Sequence, residues 1–182
     1  GKSLAPGVVL REMLHLMSEL LGLNRGRIVL ADQDDSAKGG YASTSRICFA
    51  YGLTQAEMAR GVYAPGEGIT GRVLATGQPM LVQDIDAEPQ FLARSVPRDQ
   101  LPQETVAYLA LPIDVNGQTV GVLGCHRLRS RRRHLKDGVA LLKTLAALAG
   151  KLPTPPSLTD ETTRRTENHQ HHRKTQRGDH GG

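Results

Sequence analysis

Apolar positions recur at spacings of three and four in two stretches that bracket the chain's ordered region. Between those stretches they alternate or run in short blocks. Leu10, Met13, Leu14, Met17, Leu20 and Leu21 form one face of a helix that starts near Pro6-Gly7 and stops at Gly22. Leu135, Val139, Leu142, Leu145, Ala146, Ala149 and Leu152 predict a second long helix, in which Ala146, Ala147, Ala149 and Gly150 permit close approach of a neighbour. Residues 27–32 (RIVLAD) read as a strand, 34–40 as a polar hairpin loop closed by Gly39-Gly40, and 41–51 as the returning strand. Residues 53–60 predict a short helix with a capping box from Thr54 to Glu57, ended by Gly61. Residues 105–115 and 118–128 form the clearest pair, joined by Asn116-Gly117, the dipeptide that a type I′ turn favours. Val120, Val122 and Gly124 face one way and Leu123 and Cys125 the other. Both faces are apolar, so this hairpin belongs in the middle of a covered sheet.

The stretch 62–86, VYAPGEGITGRVLATGQPMLVQDID, organises the rest. Pro65-Gly66 breaks the chain, residues 68–76 wind into a short helix, Gly77-Gln78-Pro79 stops it, and Met80-Leu81-Val82 supplies a strand. Residues 66–71 also spell GxGxxG. A dinucleotide site needs a buried strand running into those glycines, and here Pro65 and the three-residue Val62-Tyr63-Ala64 stand in the way. A phosphate loop needs Lys and then Ser or Thr where this chain has Arg72-Val73. The glycines therefore read as structural: Gly66 and Gly68 for a tight turn, Gly71 for close packing of the helix on a sheet. Residues 87–103 are polar and proline-rich with Phe91, Leu92, Val96 and Leu101 as anchors, the pattern of a covering segment.

Composition adds limits. The chain has 182 residues, 38% of them apolar, with 20 glycines, which is enough for one ordinary core and a tail. Aromatic residues are only 3%, so the core is aliphatic and base-stacking platforms are scarce. Two cysteines, no signal peptide and no apolar run near membrane-spanning length predict a reduced, cytoplasmic protein with no membrane association. The net charge of +5 is concentrated in Arg127, Arg129, Arg131, Arg132, Arg133 and Lys136. This run lies in a strand-to-helix connector without interleaved aromatics, which favours a solvated loop or a docking patch for an acidic partner over direct DNA binding. After Leu152, Pro153-Thr154-Pro155-Pro156 ends the helix. Residues 157–182 are His- and Arg-rich with Leu158 as their one apolar member, so 1–152 reads as the domain and 153–182 as a disordered polar tail. His169, His171, His172 and His180 without fixed geometry predict no metal site.

The chain offers no nucleophile with a base. Cys48 and Cys125 sit in apolar strands, and Cys125 and its neighbour His126 point to opposite faces. Glu12, Glu57, Glu67 and Glu88 are scattered, and no HExxH, CxxC or paired-carboxylate arrangement occurs. An enzyme is not expected.

PGEGITGRVLATGQPMLVQDID followed by AEPQFLARS resembles the signature of GAF domains, specifically those at the N-terminus of sigma-54-dependent activators of the nitrogen-fixation type, the NifA, VnfA and AnfA group. AYGLTQAEMARGVY upstream, LPIDVNGQTVGVLGCHRL downstream and the closing helix fit the same pattern, so the resemblance runs from about Val8 to Leu152. It implies an α+β fold: a central antiparallel sheet, the long N- and C-terminal helices packed on one face, and a lid of loop and short helix on the other. It also implies a pocket between sheet and lid, with Arg72, Phe91, Arg94, Tyr108 and Cys125 as the residues that line or gate it. The implied role is sensory. Such a module binds a small effector or a regulatory protein, dimerises through its terminal helices, and controls a neighbouring ATPase and DNA-binding region. Neither a phosphate loop nor a helix-turn-helix appears in this sequence, so it reads as a truncation or remnant of a longer activator. The alternative within the same fold is a free-standing enzyme that reduces free methionine sulfoxide with pocket cysteines. These residues fit 2-oxoglutarate, a cyclic nucleotide, a redox signal or no ligand equally, and name no cofactor.

Overall fold

The structure, a computed structural model, describes residues 5–33, 43–128 and 135–152, with backbone alone at 135–138 and 141. The expected loop at 34–40, most of the basic run and the tail with its four histidines lie outside the described residues.

Helix α1 spans Pro6–Leu21, with proline in its first turn and Gly22 in the left-handed conformation that closes its last. Leu10, Leu14 and Met17 turn inward and are buried, whereas Leu16 and Leu20 of the same helix are exposed. Strand β1 (Leu23–Ala31) begins four residues earlier than its apolar run suggests. Arg25 takes φ 49° and the register with its neighbour breaks between Asn24 and Arg27, so a bulge carries the strand through a polar stretch. Strand β2 is Ser45–Ala50. Helix α2 (Gln55–Arg60) has the expected capping box: Glu57 N–H donates to Thr54 Oγ1 at 3.1 Å, and Thr54 N–H donates to Glu57 Oε1 at 2.8 Å. A two-residue edge strand β3 (Val62–Tyr63) follows, then helix α3 (Gly68–Thr76), strand β4 (Met80–Val82), the long hairpin β5 (Val106–Val115) and β6 (Gln118–Leu128), and helix α4 (Leu135–Lys151). Asn116 and Gly117 both take positive φ, 51° and 78°, as a type I′ turn requires.

The strands form one antiparallel sheet in the order β3-β2-β1-β6-β5-β4, so the 106–128 hairpin lies inside it with β1 and β4 on either flank. The two faces are told apart at β1. A Cβ on Gly26 would sit 2.9 Å from Leu14 Cδ2 of α1, while its neighbour Arg27 points to the other side. α1 and α4 touch each other; α1 packs on β1 and α4 on β5. Leu142, Ala146 and Ala149 of α4 are buried, and Gly150 brings the helix so close that a Cβ there would collide with the Asp114 carbonyl of β5. α3 and the segment 84–104 cover the opposite face. There Ile69, Val73, Leu74, Ile85, Val96 and Leu101 pack on Val29, Val106, Tyr108, Ala110 and Val122. Segment 84–104 contributes no strand, only a single turn of 3-10 helix at Arg98–Gln100, in keeping with its role as a cover.

The glycines of the 66–71 motif serve the turn, with one correction. Gly66 and Gly68 take φ 72° and 67°, as expected. Gly71, however, packs against its own turn and not against a sheet, because a Cβ there would collide with the Gly66 carbonyl carbon.

Candidate functional site

Between the cover and the sheet lies a part-open cavity of ≈ 30 Å³, lined by Arg27 of β1, Tyr63 of β3, Ile69 and Thr70 of α3, residues 91–96 of the lid, Tyr108 of β5 and His126 of β6. That is room for about two waters.

The floor is set by cross-strand register. Tyr108 on β5 stands opposite His126 on β6, and Arg27 on β1 opposite Gly124 on β6, so all four share the cavity face. Gly124 is needed there: a Cβ would collide with the Tyr108 hydroxyl and touch the Arg27 stem at 3.5 Å. With that space left open, the Arg27 guanidinium lies 5.6 Å from the centre of the Tyr108 ring, a cation–π contact. Arg27 is only 3% exposed, and its Nε and Nη2 donate to the Arg25 carbonyl in the bulge at 3.1 and 3.0 Å.

Three rings meet above this floor. Phe91 of the lid packs edge-on against Tyr108 with centroids 5.1 Å apart and against His126 at 6.1 Å, and Tyr108 and His126 are 5.0 Å apart. His126 is 1% exposed, and neither ring nitrogen has a hydrogen-bond partner. Burial, then the positive charge of Arg27, Arg25 and Arg98, holds its pKa well below the ordinary histidine value, so the ring is neutral at pH 7. Burial likewise pushes the Tyr108 hydroxyl up to about 12 and raises that of Tyr63, leaving both as protonated donors.

The lid hangs from a few polar ties. Arg94 Nη1 donates to the Val62 carbonyl of β3 at 2.7 Å and to Glu67 Oε1 at the start of α3, and its guanidinium sits 5.4 Å from the centre of the Tyr63 ring. The hydrogen bond from Arg94 is the main reason the Glu67 carboxyl is held below its usual range. Ser95 Oγ donates to the Glu57 carbonyl of α2 at 2.8 Å, and Arg60 Nε and Nη2 donate back to the Ser95 carbonyl. At the lid's base, Arg98 donates to Asp86, to the Pro102 carbonyl and to the Glu104 carbonyl.

Of the five residues expected around a pocket, Phe91, Arg94 and Tyr108 line this cavity, while Arg72 and Cys125 do not. Arg72 lies on the exposed side of α3. Cys125 is fully buried opposite Leu109 on the helix-covered face, since alternation turns it away from His126, and burial pushes its thiol up to about 12. Cys48 on β2 has its thiol pushed to about 11 and lies near the Arg46 carbonyl. β1 separates the strands of the two cysteines. Two strand spacings, roughly 9.6 Å, exceed the reach of a disulfide. Arg27, Tyr63 and His126 were not among the expected residues, although Gly124, two positions before His126, marks the close approach that builds the floor. Among the described residues no group of three His, Cys, Asp or Glu side chains could hold a metal ion, and no helix is long and apolar enough to cross a membrane.

A six-stranded antiparallel sheet with terminal helices on one face and a lidded cavity on the other is the GAF architecture. The chain belongs to the GAF domain family, whose model matches residues 6–152. It is similar to the GAF domains of the NifA, VnfA and AnfA activators. It is 32% identical to the Nif-specific regulatory protein of Azospirillum lipoferum over 169 residues, 92% of this chain and 26% of that protein. It is 34% identical to the nitrogen fixation protein VnfA of Azotobacter vinelandii over 135 residues, 74% of this chain and 24% of that protein. The chain therefore spans about a quarter of the length of the curated relatives it matches. Among solved structures it superposes on the A. aeolicus nlh2 GAF domain in an inactive state with TM-score 0.62 at 21% identity, over 82% of each chain. A free methionine-R-sulfoxide reductase from Neisseria meningitidis in complex with its substrate gives TM-score 0.59 at 19% identity, over 81% of this chain and 77% of that one. At such identities the superpositions speak for the fold alone.

Proposed function

We propose that this domain is the cytoplasmic sensory module of a nitrogen-fixation-type transcriptional activator, and that a small effector or a regulatory protein acting on the lid controls a neighbouring ATPase and DNA-binding region. The observation that carries this reading is the cavity with a buried arginine and histidine, closed by a lid held through Phe91, Arg94 and Ser95. Strands β5 and β6 run between the two layers. Tyr108 and His126 face the cavity, and Leu109 and Cys125 face the helices, so a change in the floor reaches α1 and α4 through the same backbone. An effector that prefers one arrangement of lid and floor shifts the population of both layers. The exposed Val8, Leu16 and Leu20 of α1 and Leu148 of α4 offer an apolar surface for a homodimer through the terminal helices.

Native mass spectrometry of the protein purified from the cell that makes it tests the reading. A retained small molecule on a dimer supports it, and a bare monomer under all conditions counts against it. The enzymatic reading asks for cysteines that approach one another in the pocket, and these two lie on strands separated by β1. Saturable turnover of free methionine sulfoxide, lost in Cys125→Ser, would reverse the ranking.

A further inference from the structure

We propose that the cavity binds a small planar monoanion of carboxylate or nitrate shape, gripped by the end of the Arg27 guanidinium that the protein leaves open. The proposal rests on reading the cavity as the effector site and adds the ligand's chemical class. Nε and Nη2 share one edge of the guanidinium, and that edge is spent on the Arg25 carbonyl. The remaining edge, formed by Nη1 and the second Nη2 proton, has no partner among the described residues. It is the two-pronged edge that matches two oxygens of a planar oxyanion. The charge behind it is buried, and no carboxylate lines the cavity. Arg94, at the rim, differs in this respect, because Glu67 already pairs with it. A buried cation without a counterion is costly, and an anion in the cavity offsets part of that cost.

A second, independent feature points the same way. His126, 1% exposed, carries two ring nitrogens without partners on the same cavity wall, two positions along β6 from the glycine beside Arg27. The nitrogen turned toward the cavity donates to a ligand oxygen in the tautomer that carries its proton there.

The test is titration calorimetry and thermal denaturation of the whole chain with sodium formate and sodium nitrate, at ionic strength held constant with chloride. Formamide serves as the neutral isostere of formate. Saturable binding of both anions, absence of binding by formamide, and at least about ten-fold weaker anion binding in Arg27→Gln are expected. Should Arg27→Gln not fold, Arg27→Lys carries the same test, since it keeps the charge and loses the fork. Arg11→Gln, on α1 at the opposite face, leaves binding unchanged. Formamide binding as well as formate, or no response to either anion, overturns the proposal and makes the cavity a water site. Binding of 2-oxoglutarate or cyclic AMP without any binding of formate or nitrate also overturns it, while the sensory reading survives. Saturable anion binding with no change in lid exchange would uphold the anion site and sink the sensory reading.

Discussion

Replacing Phe91 by alanine removes the lid ring that packs on both Tyr108 and His126. A fully buried phenylalanine cut to alanine costs about 3–5 kcal/mol, and each edge-on ring pair accounts for about 0.5–1.5 kcal/mol beyond its buried area. Phe91 is half-buried, with ring centroids 5.1 and 6.1 Å from its two partners, which scales the loss to about 2 kcal/mol. If the ring holds the lid closed, those contacts are broken whenever the lid opens, and the opening equilibrium shifts by the whole amount, roughly 30-fold. Hydrogen exchange at the amides of residues 88–96 under native conditions reads this directly. The expected result is exchange about 30-fold faster there, with no change at amides of α1 that exchange through fraying of its ends. A fall in global stability of about 2 kcal/mol with lid exchange unchanged would refute the reasoning. It would mean that the ring contacts persist when the lid opens and that something else holds it shut.

Other outcomes follow from the same geometry. Gly71→Ala forces a methyl group into the backbone of Gly66, which cannot move aside as a side chain could, so chemical denaturation should show a loss of about 1–3 kcal/mol. Thr54→Ala removes the side-chain half of the α2 capping box and should cost about 1 kcal/mol in the same assay. His126 gives a pH signature. Its folded pKa is depressed, so the unfolded chain takes up the proton first as pH falls below about 6.5, and stability is lost on acidification. Urea midpoints should fall on acidification through that range in the wild type by more than they do in His126→Gln. Arg27, Arg25, Arg98 and the buried Tyr108 are the charged or titratable groups around the ring, and none changes its charge in that window, so the difference between the two proteins isolates the imidazole.

Much of the architecture is legible in local chemistry. Residues 68–76 are bounded by Gly66 and Gly77, whose positive φ values make them breakers in fact as well as in pattern. Thr54-x-x-Glu57 and Asn116-Gly117 specify their cap and turn without help from the rest of the chain. Where local chemistry is overruled, tertiary contacts are the cause. β1 starts at Leu23 because a bulge at Arg25 lets polar residues join the ladder, and β3 is two residues held by pairing with β2. The site was half visible. Phe91 and Arg94 stand in a polar lid and Tyr108 in a strand, where bulky or charged side chains invite notice. Arg27 reads only as the first residue of a strand, and β6 and the lid are what bury it; His126 reads only as a neighbour of Cys125. Cys125, which the family resemblance implies at the pocket, faces the helices instead, because it alternates along β6 with Gly124 and His126, which hold the cavity side.

The response of this cavity and its lid to a small molecule through Arg27 is tested most directly by hydrogen exchange at residues 87–101, measured with and without the dialysable fraction of extract from the cell that makes the protein. Slower exchange with the extract in the wild type, and none of that slowing in Arg27→Gln, is the predicted result. Exchange that ignores the extract, or slows equally in the variant, would contradict it.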